Sequence, residues 1–171
     1  MAENVFIIIL ILITYLTYIE PCPRSCQCIY SQRLTYWKAK NLYKVRLGIP
    51  QYTERLVLSR NNISSIWAHD FKELPNLRDL DIKNSPLAYF DTEILKRFKN
   101  LVSLDLSGNL LTKISKFPFH WNLKSLELQS NLLTHIDGST FSLLQNLSNL
   151  DLGNNRLSNI STDAFKHFEN V

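Results

Sequence analysis

A repeating pattern of leucines is the feature that most restricts how this chain can fold. Apolar residues recur at fixed places in units that begin at residues 53, 77, 101, 123 and 147, so successive units start 24, 24, 22 and 24 residues apart. A unit this short cannot enclose a hydrophobic core alone, so each must pack its apolar side against its neighbours. The pattern therefore predicts a stacked solenoid rather than a domain with one central core.

Each unit contains two apolar residues spaced two apart, as in Leu104 and Leu106. Side chains two apart in an extended strand point to the same face, so this pair predicts a short strand whose intervening residue faces the other way. Stacking these strands gives a parallel sheet. A later apolar residue of each unit is expected to fill the convex side; these are Phe71, Leu95, Phe119, Phe141 and Phe165.

The unit that begins at Leu101 is two residues shorter than the others. The sequence places this loss after Phe119, where residues 120–122 replace a five-residue link such as 72–76. Trp121 is expected to substitute for the apolar residue that the shortened link lacks.

An asparagine follows the strand in four of the five units. An amide side chain both donates and accepts, so stacked asparagines can satisfy main-chain groups of the turn from one unit to the next. Ser85 replaces the asparagine in the second unit and predicts the weakest rung, because a hydroxyl is shorter and has one donor. The predicted structural ladder consists of Asn61, Asn109, Asn131 and Asn155.

The three clearest units, which begin at Leu101, Leu123 and Leu147, fit the pattern L-x-x-L-x-L-x-x-N-x-L. The chain therefore resembles the leucine-rich-repeat family. The resemblance implies an α/β-type horseshoe solenoid with a parallel concave sheet and an irregular or short-helical convex side. The predicted repeats are 53–76, 77–100, 101–122, 123–146 and 147–170, and residue 171 would begin a truncated sixth.

After four residues that include Glu3, the sequence has an uncharged run from Val5 to Ile19. A spanning helix needs roughly 20 apolar residues, so this shorter run is more typical of a signal peptide. We predict a signal peptide over residues 1–20, although no small-residue cleavage site marks its end, and an uncleaved anchor is the alternative. The protein is therefore expected to be secreted or extracellular, or to be an ectodomain fragment of a membrane protein.

The three cysteines, Cys22, Cys26 and Cys28, follow at once. Export permits disulfides, and an odd number leaves one thiol unpaired within a single chain. Residues 21–52 resemble the cysteine-rich N-terminal cap of slit-like, chondroadherin-like and Toll-like proteins. Such caps pair the first cysteine with the third and the second with the fourth, so the resemblance implies a Cys22–Cys28 disulfide and an unpaired Cys26.

The position of the fourth cysteine is occupied by Trp37. Two outcomes remain open for Cys26. Either Trp37 fills the space of the missing bridge and the thiol is buried, or the thiol is exposed and joins two chains in a disulfide-linked dimer.

Positive charge is concentrated in this predicted cap, which contains no acidic residue between Pro21 and Tyr52. A solvated surface is one interpretation, and a site for sulfated glycans is the other. The basic residues are Arg24, Arg33, Lys38, Lys40, Lys44 and Arg46.

The sequence offers no set of residues expected to form a catalytic or metal site. Its four histidines occupy four different positions of the repeat, so stacking cannot bring them together: His69, His120, His135 and His167. The usual motifs for acyl transfer, phosphate binding and zinc proteolysis do not occur. We therefore expect no enzyme activity, no metal and no cofactor.

The exposed strand residues are expected to form the contact surface of a protein-binding module in adhesion, matrix or innate-immune and receptor recognition. An acidic column runs along this face and would repel phosphate, so nucleic acid is not expected to bind. The alternative is a structural matrix protein whose basic cap binds sulfated glycans. The candidate concave residues are Arg55, Asp79, Asp81, Lys83, Asp105, Glu127, Gln129 and Asp151.

Three Asn-x-Ser sequons predict N-glycosylation in an exported chain, at Asn62, Asn146 and Asn159. All three lie outside the strand positions of the repeat, so glycans there would leave the concave face free.

Overall fold

The computed structural model describes Cys22, residues 26–37, 41–45 and 48–166, and Phe168. The predicted signal peptide lies outside these residues. The strands are β1 (Gln27–Ile29), β2 (Leu34–Tyr36), β3 (Arg55–Val57), β4 (Ser65–Ile66), β5 (Asp79–Asp81), β6 (Tyr89–Phe90), β7 (Ser103–Asp105), β8 (Ser125–Glu127), β9 (His135–Ile136), β10 (Asn149–Asp151) and β11 (Asn159–Ile160). Three 3₁₀ turns cover Tyr30–Gln32, Ala68–Asp70 and Thr92–Arg97.

The main sheet has seven strands in the order β1-β2-β3-β5-β7-β8-β10. The first pair, β1 and β2, is antiparallel, and each later neighbour is parallel. The register aligns the central leucine of every repeat strand in one row: Leu56, Leu80, Leu104, Leu126 and Leu150. The predicted parallel concave sheet of a solenoid is confirmed, and the short cap strand β2 extends it by one rung.

The repeat strands are short because the chain turns sharply after each of them. In every unit the residue just before the ladder position has a left-handed backbone, with φ of 57° at Arg60, 55° at Asn84, 63° at Gly108, 56° at Ser130 and 52° at Asn154. Glycine adopts this conformation most easily. At Gly108 a Cβ would also meet Asn84 Oδ1, so a larger residue there would require the Asn84 side chain to shift.

One continuous hydrophobic core runs beneath the sheet. The inward leucines of the middle units, such as Leu104 and Leu126, are fully buried, and so is Trp37 in the cap. At the other end, Leu150 and Leu152 are only half-buried and Ile160 is exposed. Units with a neighbour on both sides thus bury their apolar side completely, which is the arrangement that short repeats require.

The ladder asparagines bond the turns of consecutive units; Asn61, Asn109 and Asn131 are buried and Asn155 is half-buried. Asn109 Nδ2 donates to Leu106 O at 2.8 Å in its own unit and to Ile82 O at 3.0 Å in the preceding unit. Its Oδ1 accepts from the main-chain N–H of Ser85 at 3.1 Å and of Leu87 at 3.4 Å. Asn61, Asn131 and Asn155 make the corresponding amide bonds.

The convex side carries two short parallel sheets, β4–β6 and β9–β11, separated by the shortened unit. The first is followed in each unit by a 3₁₀ turn, Ala68–Asp70 or Thr92–Arg97. The prediction of an irregular, short-helical convex side is confirmed.

Two predictions about the shortened unit are wrong. Phe119 does not join the buried convex column, because its side chain is 56% exposed, and Trp121 does not fill the core, because it is 58% exposed. Phe117 is fully buried instead, and its ring stacks on Phe141 with centroids 6.0 Å apart. The two-residue loss therefore lies between Ile114 and Phe117, not after Phe119.

His120 takes the inward position that the sequence assigned to Trp121. It lies three residues before the leading Leu123, as Leu74, Phe98 and Leu144 lie three residues before the leading leucines of the other units. In those units the main-chain oxygen of this residue accepts from the leading leucine. In the shortened unit His120 Nδ1 accepts the N–H of Leu123 instead, at 3.2 Å.

Candidate binding face of the sheet

The candidate concave residues lie on the repeat strands of the main sheet or directly after them, where the fold turns alternate side chains away from the core. The strand register places Asp81, Asp105, Glu127 and Asp151 side by side in one row. Arg55 and Asp79 are neighbours in a parallel row two residues earlier. The sheet thus brings together the residues that the sequence pattern proposed, and we refer to Arg55, Asp79, Asp81, Lys83, Asp105, Glu127, Gln129 and Asp151 as the concave face.

Negative charge dominates the concave face, which has five carboxylates (Asp79, Asp81, Asp105, Glu127, Asp151) against two cations (Arg55, Lys83). It contains an open depression of about 280 Å³ lined by Arg55, Asp79, Leu80, Asp81, Lys83, Ser103 and Asp105. An open depression of this kind differs from the enclosed pockets that bury small ligands.

Lys83 sits between two carboxylates of the acidic row. Its ammonium lies 3.5 Å from Asp81 Oδ2 and 3.2 Å from Asp105 Oδ2. The negative charge of Asp81, followed by the hydrogen bond to Asp105, raises the pKa of Lys83. Lys83 therefore stays protonated and partly neutralises the row at this point.

The acidic row also has a structural role that the sequence reasoning missed. Asp81 Oδ1 accepts the main-chain N–H of Lys83 at 3.1 Å, Asp105 Oδ1 that of Ser107 at 3.0 Å, and Asp151 Oδ1 that of Gly153 at 2.8 Å. Each aspartate thus closes the turn that ends its own strand. The signal was available, since an aspartate two residues before a tight turn is a common turn-forming arrangement.

Glu127 and Gln129 differ from the rest of the concave face. Glu127, with its longer side chain, accepts from Ser125 Oγ at 3.0 Å and from Asn149 Nδ2 on the next strand, so it links two strands. Gln129 Oε1 is buried and accepts no hydrogen bond from the part of the chain that the structure describes. The carboxylate of the fourth repeat strand therefore bonds to side chains of its own and the next strand, where the aspartates of other units close a turn.

A second column of asparagines, also missed from the sequence, runs across the sheet just before the strands begin, and we call it the edge column. Each member immediately precedes a leading leucine and donates from Nδ2 to a main-chain oxygen of the preceding unit. The bonds join Asn76 to Gln51 at 2.9 Å, Asn100 to Pro75 at 2.7 Å, Asn122 to Lys99 at 2.8 Å and Asn146 to Trp121 at 2.9 Å. The repetition of asparagine before leucine would have revealed this edge column.

In the cap, a disulfide joins Cys22 to Cys28. Cys26 is half-buried, with its sulfur 3.7 Å from Cys28 Sγ, and burial raises the pKa of its thiol. The three sulfurs lie within 4.8 Å of one another, but the disulfide leaves only Cys26 able to form a thiolate. Trp37, which occupies the sequence position where the cap resemblance expects a fourth cysteine, is fully buried.

The basic residues of the cap are only partly described. Arg33 forms an ion pair with Glu54 at the start of the first repeat, and Lys44 is exposed. Arg24, Lys38, Lys40 and Arg46 lie outside the described residues. Arg33 is thus already partnered by a carboxylate, and a glycan site in this region stays a prediction.

The described histidines differ in how far they are buried. His69 and His135 are exposed, whereas His120 is buried in the shortened unit; His167 lies outside the described residues.

No helical segment in the described part of the chain is long and apolar enough to cross a bilayer.

The three predicted glycosylation sites lie at the surface to different degrees. Asn62 and Asn159 are exposed and Asn146 is half-buried.

Comparison with family models gives two matches, both described as leucine-rich repeat, at residues 100–120 and 122–171. Among curated proteins, leucine-rich repeat-containing protein 3 of Danio rerio is 34% identical over 101 residues, and trophoblast glycoprotein of Rattus norvegicus is 32% identical over 103 residues. These alignments cover 57% and 58% of this chain but only 38% and 24% of the two relatives. The chain therefore corresponds to less than half of the length of either relative.

Solved structures show the same architecture. The TLR13–ssRNA13 complex superposes with a TM-score of 0.74 at 25% identity, covering 84% of this chain and 21% of that one. The Toll–Spatzle complex of Drosophila superposes with a TM-score of 0.59 at 32% identity, covering 68% of this chain and 16% of that one. The first is a complex with single-stranded RNA, and the second is a complex with Spatzle.

Proposed function

Because this chain belongs to the leucine-rich-repeat family, we propose that it is a non-enzymatic, protein-binding module that works outside the cell. The observation that carries the proposal is the concave face, where carboxylates of successive strands lie in register across the sheet. Its partner is a protein with a basic surface, in adhesion, matrix or receptor recognition. Complementary charge of this kind speeds association and selects among partners.

The charge of the concave face favours a protein over a nucleic acid. A phosphate backbone requires cations for neutralisation, and this face has five carboxylates and two cations. The similar structure with single-stranded RNA therefore does not lead us to propose RNA binding for this chain. The similar structure with Spatzle, a Toll complex, supports a protein partner in general terms.

The export that this proposal requires is supported by three features. These are the apolar run at the start of the chain, the Cys22–Cys28 disulfide and the similarity to a glycoprotein. Disulfides persist in oxidising compartments outside the cytosol. We propose that the protein is secreted or forms part of an ectodomain.

The test is to remove the charge of the acidic row without disturbing the turns. In the triple variant Asp81→Asn, Asp105→Asn, Asp151→Asn, an amide oxygen remains to accept the three main-chain N–H groups. We expect binding to the strongest hits on an array of secreted and cell-surface proteins to weaken about tenfold or more, mainly through slower association.

The matched control is Asp70→Asn on the convex side. Asp70 also accepts a main-chain N–H through one carboxylate oxygen, that of Trp67 at 2.8 Å, but it does not belong to the concave face. The proposal requires that this control bind like the wild type. Equal binding by the triple variant would place the interaction elsewhere on the protein.

A further inference from the structure

The shortened unit exposes two large aromatic side chains next to each other. Phe119 and Trp121 are both more than half exposed, and their ring centroids lie 6.4 Å apart. Contiguous exposed apolar surface is a common feature of contact sites, and here the two rings form such a surface together. We call these two residues the aromatic pair.

The edge column brings a modification site to this pair. Asn146 Nδ2 donates to the main-chain oxygen of Trp121 at 2.9 Å. Asn76, Asn100 and Asn122 make equivalent bonds, but Asn146 alone among these four is followed by the Leu-Ser that completes a sequon. The nitrogen that would be glycosylated therefore lies in hydrogen-bond contact with the main chain of the residue that carries the exposed indole ring.

We propose that an N-linked glycan on Asn146 lies against Trp121 and covers the aromatic pair, a proposal that rests on the export of the chain proposed above. Attachment forms a bond from Asn146 Nδ2 to C1 of an N-acetylglucosamine. The C1–O bond to the lipid pyrophosphate donor breaks, and the donor oxygen takes the proton that leaves the nitrogen. One N–H remains on Nδ2.

The remaining N–H makes the edge-column bond compatible with glycosylation. One hydrogen of the amide is enough to donate to Trp121 O, so the folded chain holds the modified nitrogen where the unmodified one lies. The first sugar then begins beside Trp121. Its C–H groups and acetyl methyl pack on an aromatic ring face, while its hydroxyl groups stay in water.

The other two sequons provide internal comparisons. Asn62 follows a ladder asparagine and Asn159 lies in β11; both side chains are exposed, and neither belongs to the edge column. Glycans at these positions have no equivalent hydrogen bond to an exposed aromatic residue. They report on export and glycosylation without reporting on the aromatic pair.

The first measurement is site occupancy, by glycopeptide mass spectrometry of the full chain secreted from mammalian cells. We expect Asn146 to carry a glycan. Glycans at Asn62 or Asn159 with an unmodified Asn146 would overturn this inference while leaving export intact. Failure of the chain to enter the secretory pathway would overturn the export proposal and this inference together.

The second measurement is acrylamide quenching of Trp121 fluorescence in a Trp67→Phe background, in which the remaining Trp37 is fully buried. Ser148→Ala removes the sequon but retains Asn146 and its bond. We expect this change to raise the quenching constant roughly twofold, since a sugar covers one of two ring faces. Ser64→Ala, which removes the Asn62 sequon, leaves the constant unchanged.

Trimming the glycans to a single N-acetylglucosamine distinguishes contact from general crowding. The quenching constant should stay low after trimming, because the first sugar makes the contact. Equal quenching of the wild type and Ser148→Ala proteins, with Asn146 occupied in the wild type, would show that the glycan does not cover Trp121.

Discussion

At the residue scale, His120 combines burial with a single allowed proton position. Its Nδ1 accepts the N–H of Leu123, so that nitrogen carries no proton, and Nε2–H donates to Phe98 O at 2.9 Å. Burial lowers the pKa of His120 below the ordinary value of 6.5, and the hydrogen bond to Phe98 opposes this only in part. The folded shortened unit therefore requires a neutral imidazole.

This requirement predicts stability that depends on pH. The unfolded chain binds a proton at His120 near pH 6.5, and the folded chain binds it only at lower pH. The contribution of the neutral His120 to the free energy of unfolding is therefore fully present above pH 6.5. It decreases as the pH falls from 6.5 towards the folded pKa. Urea unfolding at pH 7.5 and pH 5.0 measures the effect. In His120→Phe, which resembles Phe98 of the neighbouring unit, the loss on acidification should be smaller; an equal loss would assign it to other groups.

Ser85 occupies a ladder position of the second unit without the amide group of the other ladder residues. It accepts one hydrogen bond, from the main-chain N–H of Asn61 at 3.3 Å, where Asn109 makes bonds through both ends of its amide. An asparagine at 85 would give Leu58 O and Ile82 O a second donor each, as Leu106 O already has. The ladder is thus weakest between the first and second units.

We expect Ser85→Asn to stabilise the protein by about 1 kcal/mol, because it adds buried hydrogen bonds to a preformed turn. The corresponding rise in melting temperature is about 2–4 °C for a chain of this size. Asn131→Ser is the reverse control and should lower the melting temperature. A fall in Ser85→Asn as well would mean that this turn has no room for the amide.

At the element scale, the shortened unit changes the convex side more than the concave side. Its strand, β7, pairs in unbroken register with β5 on one side and β8 on the other, while the convex sheets stop on either side of the shortened unit. Phe117 takes the buried position, and the aromatic pair turns outward. Two missing residues are thus absorbed entirely by the link between Ile114 and Phe117.

This assignment predicts that truncating two phenylalanines two residues apart changes stability by very different amounts. Phe117→Ala removes a fully buried ring and should cost about 3–5 kcal/mol of unfolding free energy. Phe119→Ala removes an exposed ring and should change stability by less than about 0.5 kcal/mol. Urea denaturation of both variants measures the difference. A larger loss for Phe119→Ala would restore the register expected from the sequence.

The repeat pattern alone could not show where the shortened unit loses its two residues, because the pattern determines the strands more strictly than the convex links. The spacing of leucines determines the strands, because only period-two pairs can face one core, so the parallel sheet was predictable. On the convex side Phe117 and Phe119 are equally apolar, and either satisfies a column that tolerates links of different length. The choice depends on how His120 and Trp121 pack, which is a three-dimensional property.

The candidate site was predictable to a similar extent. Period two places Asp81 and Asp105 on the exposed face of the sheet, and the register follows from stacking. The turn-closing bonds of these aspartates depend on the left-handed residues that follow, such as Asn84 and Gly108. Glycine and asparagine adopt this conformation more readily than other residues, so the sequence indicated these two turns, whereas the left-handed Arg60 and Ser130 have no such mark.

At the scale of the whole molecule, the protein is a linear stack and not a closed body. Burial of the inward leucines is complete in the middle units and incomplete at Leu150 and Leu152, which have a neighbour on one side only among the described residues. In such a stack, stability is approximately a sum of unit terms and contacts between neighbours. Changes such as Ser85→Asn or Phe117→Ala are therefore expected to act mainly through the two adjoining units.

The turn-closing aspartates restrict how such a molecule can acquire new partners. Asp81, Asp105 and Asp151 are constrained by the backbone that each one holds, so their positions cannot vary freely without loosening a turn. The outward residue two places earlier has no such duty to its own turn. Under the binding function proposed above, the positions of this row that are freest to vary between partners are Arg55, Asp79 and Ser103, because Ser125 and Asn149 both donate to Glu127.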